Sequence, residues 1–451
     1  MFDGPVAPPS GLPRLAIVST YDEMCGIAGY TRALEQQLRS HMDVQVFDLD
    51  QYLLRSQHAR VQRLGDRHIR DIAAQLRGFD NVNIQLEYGT LGRTHRQIIR
   101  RLKRLVRACR AVSITFHTIL GNEVLDWRLV LRNLARGRLK GAMQVASSYY
   151  RGRELAVQTY DFIRSRQRVQ QVHVIVHNRR DARLLHDVFR IRNVVHHPLS
   201  FVAPGQAEAI RQVAARSDFP VLTTLPDSAR LIGTFGFLSP YKGYETALRA
   251  LPYLPDDYHL LIFGGVHPQG IEKHRRLDPY IQTLLDESHI GQNMLDTIGD
   301  KGAPMTISLD ALSKELLARH PSDMQHRVHF MGVHNDESFM RAMALCDVVV
   351  LPYLEVGQSS SGPMSMALEM GCRVIASRTL AFLQYARYHP NQIEFFDIGN
   401  FAELADLIRA EQPPRSPRPA LSYNTETNTA VYLAANQPRR RALRKTPELA
   451  Q

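Results

Sequence analysis

The chain has 451 residues, which at roughly 100–200 residues per domain predicts two or three domains. With 44% hydrophobic and 22% charged residues, it reads as a globular protein, and collagen, coiled coil and wholesale disorder are excluded. The net charge of +12 is concentrated between Arg93 and Arg110, between Arg128 and Arg153, and in the tail 437–451, so an anionic partner is expected.

After an N-terminal extension (1–13), short apolar strands alternate with amphipathic helices. Arg14–Ser19 reads as a buried strand, Gly26–His41 as a helix, and Val44–Phe47, Asn81–Leu86, Ala111–Phe116 and Val172–Val176 as further strands. The rhythm loosens from 201 to 228, where several prolines suggest an interdomain linker. It restarts with the strand Arg230–Gly236, the helix Tyr244–Ala250 and the strands His259–Phe263, Arg327–Phe330, Val348–Leu351 and Arg373–Ala376. This β-α-β alternation predicts an α/β fold of two doubly wound, Rossmann-like domains, 14–200 and 229–412, the second carrying an irregular insertion (270–325). A proline-rich linker and a C-terminal helix (413–436) return the chain towards the first domain. A basic tail (437–451), expected to be disordered, ends it.

Cys25, Cys109, Cys346 and Cys372 lie far apart without a CxxC pair, so reduced thiols are expected rather than a disulfide or zinc framework. No apolar run reaches the roughly 20 residues that span a bilayer. Residues 1–13 also lack the basic and apolar blocks of a signal peptide. The expected location is the cytoplasm.

Three motifs fall at strand ends, where α/β proteins bind ligands. Cys25-Gly26-Ile27-Ala28-Gly29 opens the first helix, and its backbone N–H groups suit phosphate or sugar oxygens. It is not GxGxxG, so a dehydrogenase-type dinucleotide site is not indicated. Gly236-Phe237-Leu238-Ser239-Pro240-Tyr241-Lys242 places a lysine where it can neutralise charge growing on a diphosphate. Gln358-Ser359-Ser360-Ser361-Gly362-Pro363 gathers hydroxyls at a helix N-terminus, an anion site, with Glu369 further along the same helix. Each has a plainer reading as an ordinary turn, a solvated lysine or a serine N-cap. Asp48-Leu49-Asp50 is a DxD triplet of a kind frequent by chance, and no metal is expected.

Together these motifs, with Gln85-Leu86-Glu87-Tyr88-Gly89, Ile114-Thr115-Phe116-His117 and Val174-Ile175-Val176-His177-Asn178, resemble the GT-B glycosyltransferases, above all their large retaining family 4. The resemblance covers about residues 14–200 and 230–410. It implies two domains facing across a cleft and transfer of a hexose from a nucleotide sugar to a hydroxyl acceptor in polysaccharide or glycolipid assembly. By resemblance, Lys242 and His117 are catalytic. Gly26, Ile27, Gly236, Gly332, Val333, Gln358, Ser359, Ser360, Ser361, Gly362, Pro363 and Glu369 bind the donor, with Glu369 on the ribose and the Gly332-Val333 turn on the base. Glu87 and His117 serve the acceptor. Ser361 stands where the family carries the first of two glutamates, and Phe237 where it often carries an arginine. These departures keep open a non-catalytic sugar-nucleotide or glycan-binding subunit and, less directly, an epimerase.

The helical stretch Arg93–Arg110 sets Ile98, Ile99, Leu102, Leu105 and Val106 on one face. Arg96, Arg100, Lys103, Arg104 and Arg107 fall largely elsewhere. The basic face is either a solvated surface or, together with Arg128–Arg153, a docking face for the inner surface of the plasma membrane beside a lipid-linked acceptor. No aromatic residue interleaves Arg93–Arg110 and no nucleic-acid-binding motif is present, so no nucleic-acid partner is expected.

Overall fold

The computed structural model describes residues 11–23, 25–121, 125–266, 278–288, 324–410 and 421–436. Most of the expected insertion, most of the N-terminal extension and the whole basic tail lie outside the described residues. The chain divides into two compact units, Met1–His197 with Thr429–Gln451, and Pro198–Asn428.

The first unit holds six parallel strands: β1 (Arg14–Ser19), β2 (Asp43–Asp48), β3 (Asn81–Leu86), β4 (Ala111–Phe116), β5 (Gln171–Val176) and β6 (Val194–His196), ordered β2-β1-β3-β4-β5-β6. Strands covered on both faces read as unbroken apolar runs, and Leu15, Ala16, Ile17 and Val18 of β1 are all fully buried. Helix α1 (Gly26–Leu38) follows β1, with the Cys25 thiol accepting from the Ala28 N–H at 3.4 Å. Helix α2 (His95–Ala108) starts at a reciprocal cap, Thr94 receiving the Gln97 N–H and Gln97 the Thr94 N–H, the arrangement that satisfies two orphan donors at once. Helices α3 (Trp127–Ala135) and α4 (Leu139–Gln167) form a hairpin, with Asp126 capping α3 through the Leu129 N–H at 2.9 Å.

The second unit also holds six parallel strands: β7 (Arg230–Phe235), β8 (Tyr258–Phe263), β9 (Val328–Gly332), β10 (Val348–Leu351), β11 (Val374–Ser377) and β12 (Ile393–Phe396), ordered β12-β11-β10-β7-β8-β9. Helix α5 (Tyr244–Ala250) follows β7 and helix α6 (Gly362–Glu369) follows β10. The chain therefore builds outwards from β7 through β8 to β9, then returns to lay β10 against the other side of β7. That reversal opens a crevice at the carboxyl ends of β7 and β10, the place where open α/β sheets take ligands. The equivalent reversal in the first unit lies between β1 and β3.

The segment 201–228 is not a free linker. It forms helices Pro204–Val213 and Pro220–Thr223 and buries Ala207, Ile210, Phe219 and Leu222 within the second unit. Arg211 also donates to the Met370 carbonyl at 3.0 Å. Its prolines mislead because Pro204 and Pro220 occupy first helical turns, where the missing N–H costs nothing. The C-terminal helix α7 (Thr425–Asn436) brings Tyr432 and Asn436 into the first unit. There the Tyr432 hydroxyl meets Thr115 Oγ1 at 2.9 Å, and Ser113 Oγ donates to Asn436 Oδ1 at 2.9 Å.

Candidate functional site

In the second unit, β7 ends at Phe235 and the chain turns through Gly236 before a short helical turn delivers Lys242. Gly236 adopts a φ of 125°, and a Cβ there would lie 3.0 Å from Lys242 Nζ, so a side chain would occupy the lysine's place. Gly243 is left-handed, with φ 62°, and a Cβ would meet the Pro352 carbonyl oxygen at 2.1 Å. These two glycines let the β7 and β10 loops close on one another.

Lys242 is buried. Its Nζ donates to the Tyr353 hydroxyl and lies 3.9 Å from the Tyr353 ring centroid and 5.1 Å from that of Tyr241. Tyr353 lies two residues past β10, and its hydroxyl is 3.2 Å from Ser361 Oγ, at the N-cap of α6. No carboxylate among the described residues pairs with the lysine, and burial pulls its pKa down to about 7. A cation without a fixed counter-charge is thus held between aromatic rings and a helix N-terminus, where an anion would complete it.

The Ser361 hydroxyl does not cap α6. The N–H groups of Gly362 and Met364 find no acceptor among the described residues, while the Ser365 N–H bonds to the Ser361 carbonyl at 3.3 Å. Pro363, within the first turn, has no N–H to leave unpaired. Gln358 shares a hydrogen bond with Tyr241; Ser359 is buried and Ser360 half-buried in the same loop. The structure therefore brings Gly236, Lys242, Gln358 and Ser361 into one cluster. Gly332 and Val333 lie at the end of β9, two strands from β7, and reach the cluster through Gly264, where a Cβ would lie 1.8 Å from the Gly236 carbonyl oxygen. The Gly332 carbonyl accepts from the Gly264 N–H at 2.8 Å, and Val333 is exposed.

Glu369 is half-buried at the other end of α6. Its Oε1 accepts from Ser200 Oγ at 2.6 Å and the Phe201 N–H at 3.1 Å, and its Oε2 from the Phe201 and Val202 N–H groups at 3.0 and 3.1 Å. Three donors, with the Phe201 N–H shared between the two oxygens, hold the carboxylate and tie the end of α6 to residues 200–202; about one of its four acceptor sites is left. Burial pushes its pKa up to about 7 against those hydrogen bonds.

In the first unit, Gly26 and Ile27 lie at the start of α1, and their N–H groups meet no acceptor among the described residues. Glu87 and His117 follow β3 and β4, adjacent strands. Glu87 accepts from Thr118 Oγ1 at 2.6 Å, and burial raises its pKa. His117 Nε2 lies 2.7 Å from Gln85 Oε1, whose own amide donates to Asn83 Oδ1 at 2.6 Å. An oxygen acceptor fixes the His117 proton on Nε2 and leaves Nδ1 as an acceptor. His177 is the opposite tautomer: Nδ1 donates to the His197 carbonyl at 3.3 Å, and buried Nε2 has no hydrogen-bond partner among the described residues. The two rings lie 5.0 Å apart, and Tyr30 meets both edge-on at 5.8 and 5.7 Å. Burial and mutual proximity hold the His117 pKa well below its ordinary value, and burial brings His177 down to about 4. Both are neutral near pH 7.

The DxD carboxylates serve the backbone. Asp48 accepts from the Tyr21 N–H at 2.7 Å, and Asp50 caps the following helix through the Leu53 N–H at 3.0 Å. The basic face of α2 is less free than expected. Arg100 pairs with Asp66 at 2.5 Å, and Lys103 and Arg107 lie over the Phe162 ring. The neighbouring Arg101 is buried, bonding Asp66 and the Leu54 and Leu91 carbonyls. Of the five expected cations, Arg96 and Arg104 stand exposed without a partner among the described residues. The spacing places this face as the structure has it, with Ile98, Ile99, Leu102, Leu105 and Val106 buried, Arg96, Arg100, Arg104 and Arg107 exposed and Lys103 half-buried; what spacing does not show is which cations already have neighbours.

Compared with protein-family models and with curated proteins, the sequence matches none. Solved structures do match. A UDP-forming α,α-trehalose-phosphate synthase from Burkholderia xenovorans aligns over 94% of this chain and 99% of its own, at 12% identity and a TM-score of 0.59. An apo structure of OtsA aligns over 94% and 95%, at 12% identity and a TM-score of 0.50. The fold is therefore the GT-B fold of glycosyltransferases, with one six-stranded parallel sheet in each unit. Among the described residues no helix is long and apolar enough to cross a membrane.

Sequence reasoning missed Tyr353, Tyr241, Tyr30 and His177 as site components. The signal for Tyr353 was its place just past the carboxyl end of β10. The tyrosine pair Tyr241 and Tyr353 becomes meaningful only once β10 is known to lie beside β7.

Proposed function

We propose that the protein is a glycosyltransferase that moves a hexose from a nucleotide sugar to a hydroxyl acceptor with retention of configuration, in polysaccharide or glycolipid assembly. The observation that carries this reading is the Lys242–Tyr353–Ser361 chain at the β7/β10 reversal: a buried, uncompensated ammonium linked to the N-terminus of α6. In the reaction the bond between the sugar carbon and the diphosphate oxygen breaks. A new bond forms to the acceptor oxygen, and the acceptor's proton passes to the departing diphosphate. Lys242 and the free N–H groups of Gly362 and Met364 stabilise the negative charge that grows on that leaving group, the contribution that matters most when it is realised in the transition state.

In this reading Glu369 is the ribose contact. Gly332-Val333 is the candidate base contact, and His117, with its Nδ1 acceptor, and Glu87 receive the acceptor hydroxyl. Charge neutralisation by Lys242 and α6 needs no metal, so chelator should leave transfer unchanged. The Burkholderia enzyme is named as UDP-forming, and UDP-sugars are accordingly the first donors to test, before GDP- and ADP-sugars. Thermal-shift screening identifies the donor, because a ligand that binds only the folded state raises its stability. Transfer to glycan or lipid-linked acceptors then follows. Lys242→Met should weaken donor stabilisation and reduce transfer by about 10²–10³-fold; a fully active variant refutes the assignment. Donor binding without transfer across the acceptor panel would instead identify a sugar-nucleotide-binding subunit, the outcome the missing glutamate at Ser361 favours.

A further inference from the structure

The α3–α4 hairpin presents an apolar surface that the rest of the described chain leaves uncovered. Its inner side holds a small cluster, Leu125, Val130 and Ala142 with Val145 and Tyr149. Its outer side carries Trp127, Leu131 and Leu134 on α3 and Leu139, Met143 and Tyr150 on α4. These are i, i+4, i+7 and i, i+4, i+11 spacings that align each set on one helical face. Trp127 and Leu131 are each 61% exposed, Leu139 64% and Met143 71%. Isolated exposed apolar residues are ordinary, but two aligned stripes on paired helices mark an interaction surface.

Charge selects the partner. From Trp127 to Arg153 the chain has seven Arg or Lys and no Asp or Glu. None of these cations forms an ion pair with a described residue. Arg128 and Arg132 on α3 and Arg136 at its C-cap recur every four residues beside the apolar stripe rather than within it. On α4, Lys140 directly follows Leu139. A tryptophan and leucines flanked by unpaired cations is the composition of helices that lie in the headgroup region of an anionic bilayer. A second copy fits poorly, because a two-fold contact would set like-charged stripes against each other.

We propose that the α3–α4 hairpin docks the protein on an anionic lipid surface, its apolar stripes entering the headgroup region and its cations meeting lipid phosphates. This moves the membrane contact from the α2 face, where Arg100, Lys103 and Arg107 are already engaged, to the hairpin. It does not rest on the transferase reading.

The chain contains a single tryptophan, Trp127, so intrinsic emission reports the proposed contact directly. The full-length protein is mixed with vesicles of phosphatidylcholine alone or with phosphatidylglycerol added. Co-sedimentation, a blue shift of the emission and protection from acrylamide are expected with the anionic vesicles only. Leu131→Ser with Met143→Ser should lower the partition constant by about tenfold or more, and each cation replaced by Gln by about fivefold. All are exposed, so an unchanged melting temperature confirms folding. Three outcomes overturn the proposal: sedimentation without an emission change, sedimentation indifferent to the apolar substitutions, or concentration-dependent self-association with no vesicle binding.

Discussion

The two units share one architecture and fill its carboxyl end with opposite chemistry. At the β7/β10 reversal of the second unit stands one ammonium between aromatic rings, beside bare helix N–H groups. Among the described residues, the N–H groups of Gly362 and Met364 there lack an acceptor. In the first unit, the ends of β3, β4 and β5 carry Glu87, His117 and His177, with His117 Nδ1 and His177 Nε2 left as acceptors. A parallel sheet supplies the place, and a few side chains decide whether it welcomes an anion or a hydroxyl group.

The comparison breaks most sharply at Lys242. Lys242→Met should reduce transfer by about 10²–10³-fold while leaving the unliganded protein no less stable, because a desolvated ammonium has been removed. Rate assays and melting curves together check this. If activity persists, the second unit is not an anion site. Gly243→Ala tests the loop closure that brings Lys242 to Tyr353. A Cβ against the Pro352 carbonyl in a left-handed residue should cost about 3 kcal/mol, measured by urea unfolding.

In the first unit, His117→Ala should lower kcat by about tenfold with the donor KM unchanged. A matched rise in donor KM would place the histidine on the wrong substrate. The pH responses sharpen the contrast further. Free Lys242, with its pKa near 7, must take up a proton when an anion binds at higher pH. Donor affinity therefore falls as pH rises above about 7, by up to tenfold per unit, and the slope disappears in Lys242→Met. His177 acts on stability instead. Its folded pKa of about 4 lies below the ordinary 6.5, so the unfolded chain binds the proton first. Stability is lost as pH falls from about 6.5 towards 4, and His177→Gln should flatten that loss in melting curves. The smallest effect is expected from Tyr432→Phe, about 1 kcal/mol for the hydrogen bond to Thr115.

Much of this was legible in the residues. The strands Arg14–Ser19, Asn81–Leu86, Ala111–Phe116 and Val348–Leu351 have the bounds read from the sequence, because central strands buried on both faces stand out from the polar helices and turns around them even where buried Asn83, Gln85, Ser113 and Thr115 interrupt the apolar residues. The edge strands β6 and β12 are short and half-exposed, and carried no such signal. The positions of Lys242 and Ser361 followed from strand ends, but their bridge through Tyr353 depends on strand order, which local sequence does not encode. Glu369 was read by its motif. Its partners within the chain, at 200–202, lie some 170 positions away, where the first domain was expected to pass into a linker.

The return of α7 has a genetic consequence. Since the first unit resumes at Thr429 after the whole of Pro198–Asn428, the second is, in gene order, an insert within the first. A fragment stopped near residue 200 would leave Ser113 and Thr115 without Asn436 and Tyr432, stripping their partners from a buried polar face. Excising that half intact requires splicing the last helix back on, or permuting the termini.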